Sequence, residues 1–229
     1  MSKAKIPNTN IALLSDPAKM PGLAWGMTAR LSCPRANGTI CIDCYADKNA
    51  YRFPDAVRAY EARFAWAKEC MRTADGRREF VATMVSAISR QRSKHFRIHD
   101  SGDFFSAAYV DCWYLICQQL PRIRFWSPTR SWQRPAARSA SSPFVIVGQS
   151  DPIMSALRRL AELPNVTVRP SALNFGDPAP SVAGLAAGSA AGDVPLGHYL
   201  CPAPQQGGNC GDCRVCWDSP EIPVAYKRH

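Results

Sequence analysis

Seven cysteines fall into two groups whose spacing suits soft-metal chemistry. In the carboxyl-terminal part, Cys201 is followed by the CxxCxxC run Cys210, Cys213 and Cys216, in a segment with too few apolar residues to build a core of its own. Thiolate is a soft ligand, and the CxxC step lets two sulfurs reach one centre while the turned backbone aims its amides at them. Gly207, Gly208 and Gly211 permit a tight path around a bulky cofactor. Four cysteines satisfy tetrahedral zinc equally well, so zinc is the alternative metal. Three closely spaced thiolates match the corners of a cubane better, which favours a 4Fe-4S cluster. Trp217 is expected to pack over that centre.

The amino-terminal group is Cys33, Cys41 and Cys44, in a loop where Pro34, Asn37 and Gly38 oppose regular structure. Three thiolates leave one iron of a second 4Fe-4S cluster without protein sulfur, and such an iron is open to a small ligand. A fourth protein ligand could come from Cys70, Cys112, Cys117 or a histidine. Cys70 lies beside a helical apolar face and Cys117 within one, so these and Cys112 read better as core thiols.

Composition bounds the setting. The 229 residues suffice for one substantial core, with 46% hydrophobic and 20% charged residues as in ordinary globular chains. No apolar run approaches the roughly 18 residues that span a bilayer, and the start has no apolar leader. A cytoplasmic protein with no membrane partner is expected, and ten cysteines there point to metal more than to disulfides. The net charge of +10 suggests an acidic partner. Region 122–138 combines Arg122, Arg124, Arg130, Arg134 and Arg138 with Phe125, Trp126 and Trp132, a mixture suited to phosphate pairing and base stacking on nucleic acid. The competing reading is arginine packed on aromatics at a surface.

The elements that must position these groups alternate. Residues 1–32, with Pro7, Pro17 and Pro21-Gly22, read as irregular and surface-lying, with Leu23–Met27 as a first strand running into the cysteine loop. Pro54-Asp55 starts a helix with Val57, Tyr60, Phe64, Ala67 and Met71 on one face. A second helix follows Asp75-Gly76, with Phe80, Val81, Met84, Val85 and Ile88 inward. His95–His99 alternates as a strand, Ser106 caps a helix, and Ile123–Trp126 returns as strand. A short helix after Thr129, a strand at Phe144–Gly148, a helix after Asp151-Pro152 and a strand at Val166–Val168 complete the rhythm. Such alternation predicts an α/β fold with mostly parallel strands, as an open doubly wound sheet or a partial (β/α) barrel. Both place ligands at the carboxyl ends of strands.

With these motifs in order, the chain resembles the phage and plasmid gene product 88 family. The matching stretches are Met20–Gly26, Cys33–Tyr45, Arg97–Phe105, Phe125–Ser131 and Cys201–Trp217. More distantly, the layout is similar to the radical S-adenosylmethionine enzymes, which place three cysteines after the first barrel strand and a glycine-rich motif after the second. That resemblance implies a partial (β/α) barrel, cluster ligation by Cys33, Cys41 and Cys44, and S-adenosylmethionine held near Ser101-Gly102-Asp103. It also implies an auxiliary cluster at Cys201, Cys210, Cys213 and Cys216, fed by an electron-donor protein. Seven residues separate Cys33 from Cys41 where that superfamily usually has three.

Candidate residues follow from the strand ends. Asp103 and His99 are candidates for proton transfer, with helix capping and a structural histidine as the competing roles. Ser101, Gly102, Asp103, Arg130 and Ser171 form the expected cofactor-binding rim. The expected organisation is a single domain over 1–229. It comprises a cysteine-loop segment at 1–50, an α/β core at 51–176, a Gly/Ala-rich connector at 177–196 and a cluster-binding extension at 197–229. The leading functional reading is an iron–sulfur protein with redox or radical chemistry on a phosphate-bearing substrate. The rival is a noncatalytic nucleic-acid-binding module with a structural metal.

Overall fold

The computed structural model describes residues 4–17, 19–36, 41, 44–131, 151–170, 199–219 and 224–225. Four strands, β1 (Ala24–Trp25), β2 (His95–Ile98), β3 (Arg124–Thr129) and β4 (Val166–Pro170), form one parallel sheet in sequential order. The sheet is open, not a closed barrel. Its strand order never reverses, so the doubly wound alternative, which needs a switch point, is excluded for these four strands. Sequential parallel strands joined by right-handed crossovers put every connecting helix on the same face, which is barrel-like winding stopped part-way.

Those helices are α1 (Pro54–Cys70), α2 (Ala74–Ser89), α3 (Ala107–Gln119) and α4 (Pro152–Ala161). Their starts are local chemistry. Pro54 opens α1, Thr73 accepts from the Gly76 amide at 2.9 Å, and Ser106 accepts from that of Tyr109 at 3.2 Å. Asp151 accepts from the amides of Ile153 and Met154. Each cap is worth about 1 kcal/mol.

The core lies between helices and sheet. Phe96, Ile98, Phe125 and Val166 face Phe80, Met84, Val110, Trp113, Leu157 and Leu160. At its centre, the Trp25 ring nitrogen donates to the Tyr109 hydroxyl at 2.7 Å. Cys70, Cys112 and Cys117 are core thiols. On α1 the expected apolar face is displaced: Arg63, Ala67 and Cys70 are its buried residues, and Val57 is 37% exposed.

The amino-terminal segment is irregular but does not lie on the surface. Ile6, Leu13 and Leu14 are buried in the core. The cause is Arg63, whose guanidinium donates to the Ala12 carbonyl at 3.1 and 3.0 Å and to the Ser15 hydroxyl at 2.8 Å.

The opposite face of the sheet carries His95, Arg97, Trp126 and Thr167, and the cysteine-rich segment packs on it. That segment includes a parallel pair, β5 (Tyr199–Leu200) with β6 (Val224–Ala225), and the short helix α5 (Val215–Asp218). It therefore covers a face of the open sheet instead of closing a barrel end. No helix among the described residues is long and apolar enough to cross a membrane. The expected helix after Thr129, the strand at 144–148, the connector at 177–196, Trp132, Arg134, Arg138 and Ser171 lie outside the described residues.

Candidate functional site

The carboxyl ends of β1 and β2 meet in a tight turn. His99 and Gly102 both take left-handed backbone, φ 67° and 85°. At Gly102 a side chain would also stand 2.5 Å from the Ser32 hydroxyl, so glycine is required. The reversal at His99 turns its ring into the helix layer, with Nε2 3.0 Å from the Tyr109 hydroxyl and the ring edge-on to Phe104. Burial, and secondarily the charge of Arg97, push its pKa down to about 3, so the imidazole is neutral.

Asp100 and Asp103 follow, both buried. Asp103 accepts from the Phe104 amide at 2.7 Å, the Thr129 hydroxyl at 2.6 Å and the Arg130 amide at 2.8 Å. It clamps the end of β2 to the end of β3, while the α3 cap is Ser106. Burial raises its pKa, and these bonds oppose the rise. The Asp100 carboxylate accepts from Tyr60 at 3.3 Å, and its carbonyl accepts from Tyr45 at 2.7 Å and Tyr51 at 3.3 Å. Burial raises the Asp100 pKa, opposed first by Arg97 and then by Arg63. Its Oδ1 occupies the space beside Gly26, where a Cβ would come within 1.7 Å.

Outside this turn lies a cleft of about 700 Å³, lined in part by Thr28, Arg30, Cys44, Lys48, Arg52, Tyr51, Tyr60 and Ser101. The cysteine loop forms its edge. Arg30 pairs with Asp47, and Arg35 pairs with Asp151 at the start of α4. Cys33 is pushed up to about 12, mainly by burial and then by the charge of Asp103. Burial also raises Cys44. A second, smaller depression of about 440 Å³, lined by Lys94, Arg122 and Arg124, sits at the amino ends of β2 and β3, away from the cysteines.

The carboxyl-terminal cysteines are presented differently. The Cys210 amide donates to the Lys19 carbonyl at 2.8 Å, and the Cys213 amide to the Cys210 carbonyl at 2.9 Å. Tyr199 places its hydroxyl 3.7 Å from the Cys213 sulfur. Burial raises the pKa of Cys201 and Cys210, and the nearby thiols add to the rise. Trp217 does not lid the thiols. Its ring nitrogen donates to the Phe96 carbonyl at 3.2 Å, its ring packs edge-on against Trp126 at 5.2 Å, and its carbonyl accepts from Thr167 at 3.2 Å. All seven expected ligands are half-buried thiols outside any disulfide. Among the described residues no group of three or more His, Cys, Asp or Glu stands ready-made to hold a metal ion.

Arg97 joins the two cysteine segments. It donates to the Tyr45 hydroxyl at 2.9 Å, to the His99 carbonyl at 2.9 Å and to the Met20 sulfur at 3.5 Å, and it stacks on Trp126 at 4.7 Å. Tyr45 adjoins Cys44, and Met20 adjoins the residue that holds Cys210. Phe125 lies in the core and Trp126 under Trp217, so neither offers a face to a nucleic-acid base.

A profile of the gene product 88 family matches residues 2–219. The chain belongs to the gene product 88 family. The matched range takes in both cysteine segments and all four strands of the main sheet. Among relatives of this family, the Gene 88 protein of Mycobacterium phage L5 is 34% identical over 106 residues, 43% of each chain. The Gene 88 protein of Mycobacterium phage D29 is 31% identical over 106 residues, 43% of this chain and 42% of that protein. These alignments thus span less than half the length of either relative. No solved structure matches.

The turn of the gene product 88 chain brings His99, Ser101, Gly102 and Asp103 together, with Arg130 adjoining through its amide. Ser101 alone of these lines the cleft. The sequence reading missed Arg97, Arg63 and the three tyrosines around Asp100. Arg97 had a usable signal, a charge at a half-buried position of an alternating strand.

Proposed function

We propose that the protein is an iron–sulfur protein, with one 4Fe-4S cluster at Cys201, Cys210, Cys213 and Cys216 and a second at Cys33, Cys41 and Cys44. The observation that carries this reading is the carboxyl-terminal segment. It presents four half-buried thiols, none in a disulfide, on a tightly turned chain fastened to the sheet by Trp217 and to the amino-terminal segment by Cys210. The donor chemistry fits iron, zinc being the competing metal, and small movements of the chain must complete the ligand cage. Cys44 of the three-thiol group lines a cleft, which favours that group as the centre where a small molecule approaches. A cluster with an open iron supplies electrons and a coordination position.

In this reading the chain's own residues hold the site. Ser101 contacts the bound molecule from the cleft wall, and S-adenosylmethionine, implied by the distant resemblance, is the first ligand to try. Asp103 and His99 position the turn that carries Ser101.

Anaerobic reconstitution with ferrous iron and sulfide, followed by iron and sulfide counting and electron paramagnetic resonance after reduction, tests the proposal. Four to eight irons per chain are expected, by the size of one or two clusters. Cys213→Ala should remove one set and Cys44→Ala the other. A colourless protein that holds stoichiometric zinc overturns the reading.

A further inference from the structure

The cleft beside Cys44 has a charge pattern that metal binding leaves unexplained. Among the described residues, Arg30, Lys48 and Arg52 line it against one carboxylate, that of Asp47, which pairs with Arg30. Lys48 and Arg52 belong to the two short 3-10 turns, Tyr45–Asp47 and Asn49–Arg52, that lead from the cysteine loop into α1. On the same wall, the Thr28 hydroxyl is enclosed without a hydrogen-bond partner among the described residues.

We propose that this cleft binds a small phosphate-bearing molecule. Guanidinium and ammonium groups are the side chains that pair phosphate oxygens, and a buried hydroxyl lacking a partner is completed by a ligand oxygen. The cleft is larger than a bare anion needs. Its volume of about 700 Å³ lies in the range of small-molecule sites, so there is room for a body attached to the phosphate. Tyr51 and Tyr60, stacked on one another, and the exposed Val57 provide a half-apolar wall for that body.

The Asp100 carboxyl is screened from the cleft by Tyr60 and is offset by Arg97 and Arg63. The site shares its cleft with the iron–sulfur reading, but charge on the lining, not sulfur, carries it, so it is testable without iron.

The test uses the full chain, metal-free and reduced, titrated with inorganic diphosphate by calorimetry. Saturable binding is expected, weakened about tenfold or more by Arg52→Ala and by Lys48→Ala, each the loss of one charge-assisted contact. Both side chains are exposed, so thermal melting should confirm that the variants fold. Arg122→Ala, in the depression at the other end of the strands, should leave the affinity unchanged. Absence of diphosphate binding overturns the proposal, as does equal affinity in the Arg52 and Lys48 variants. Binding of a single-stranded oligonucleotide without binding of diphosphate overturns it too. Because iron is absent throughout, failure here and failure of cluster reconstitution are separate results.

Discussion

The two cysteine segments look alike in composition but are fastened to the fold by different forces. The amino-terminal loop is held by ion pairs, Arg30 with Asp47 and Arg35 with Asp151, and it borders a cleft. The carboxyl-terminal segment is held by one buried tryptophan, by the buried Arg169 guanidinium donating to the Val215 and Ser219 carbonyls, and by backbone bonds, and it covers a sheet face. Apolar anchoring makes a segment part of the cooperative core, whereas ion pairs leave its attachment dependent on salt. Apolar anchoring suits a structural cover, and ion pairing beside a cleft suits a place where ligands arrive.

The sharpest break in this contrast comes from Trp217→Ala. Removing a ring that is 4% exposed should cost about 3–5 kcal/mol in denaturant unfolding, and should speed alkylation of Cys210 and Cys213 but not of Cys33. A loss below about 1 kcal/mol would show that the tryptophan is no anchor.

Cys33 sharpens the other half. With a pKa near 12 it holds on the order of a thousandfold less thiolate than an ordinary thiol near pH 8. In mass-spectrometric alkylation it should react after Cys44, and its rate should keep rising as the solution is made more alkaline. Early modification of Cys33 would place it outside the buried loop.

Asp103→Asn tests the clamp beneath the cleft. An amide nitrogen must then stand where an oxygen accepted, which should cost about 1.5–3 kcal/mol and perturb the amides of Thr129–Ser131 in NMR spectra. Unchanged stability and spectra would disprove the clamp.

His99 gives an effect that depends on pH. Its folded pKa is depressed, so the unfolded chain binds the extra proton first. Its contribution is therefore complete above 6.5 and is lost on acidification toward about 3, at no more than about 1.4 kcal/mol per pH unit. The raised carboxyls of Asp100 and Asp103 act in the opposite sense, so the imidazole itself should be followed by NMR. Titration near 6.5 in the folded protein would contradict its burial.

The smallest effect should come from Asp218→Asn, at the exposed edge of the carboxyl-terminal segment. Its contacts with His95 at 3.7 Å and Arg124 at 3.9 Å are worth about 0.5 kcal/mol and should vanish in high salt. A loss well above about 1 kcal/mol that high salt removes would mean that this segment, too, depends on charge.

The sheet and its four helices were legible because they repeat local signals. Ser106 and Asp151 are caps, Phe80, Met84 and Ile88 recur at helical spacing, and His95–Ile98 alternates as a strand. The amino-terminal packing was not legible, since Arg63 holds Ala12 and Ser15 through bonds that leave no periodic trace in either segment. The site was partly legible. Ser101, Gly102 and Asp103 were singled out, but the cleft cations Lys48 and Arg52 lie in short turns whose placement depends on Tyr45 and Tyr51 reaching Asp100 half a core away. Trp217 was noticed but assigned to the wrong partner, because a tryptophan beside cysteines carries no mark of the sheet it covers.

The bond from Trp217 to Phe96 spans 121 positions. A ribosome releases residues in order at about 5–20 per second, so β2 emerges on the order of ten seconds before the ring that will cover it. During that interval Trp126 and Arg97 face water, and the thiols of the amino-terminal loop wait without their companion segment. That face of the sheet is thus completed by a later-made segment. A chaperone or a cofactor donor would meet it most openly in that interval.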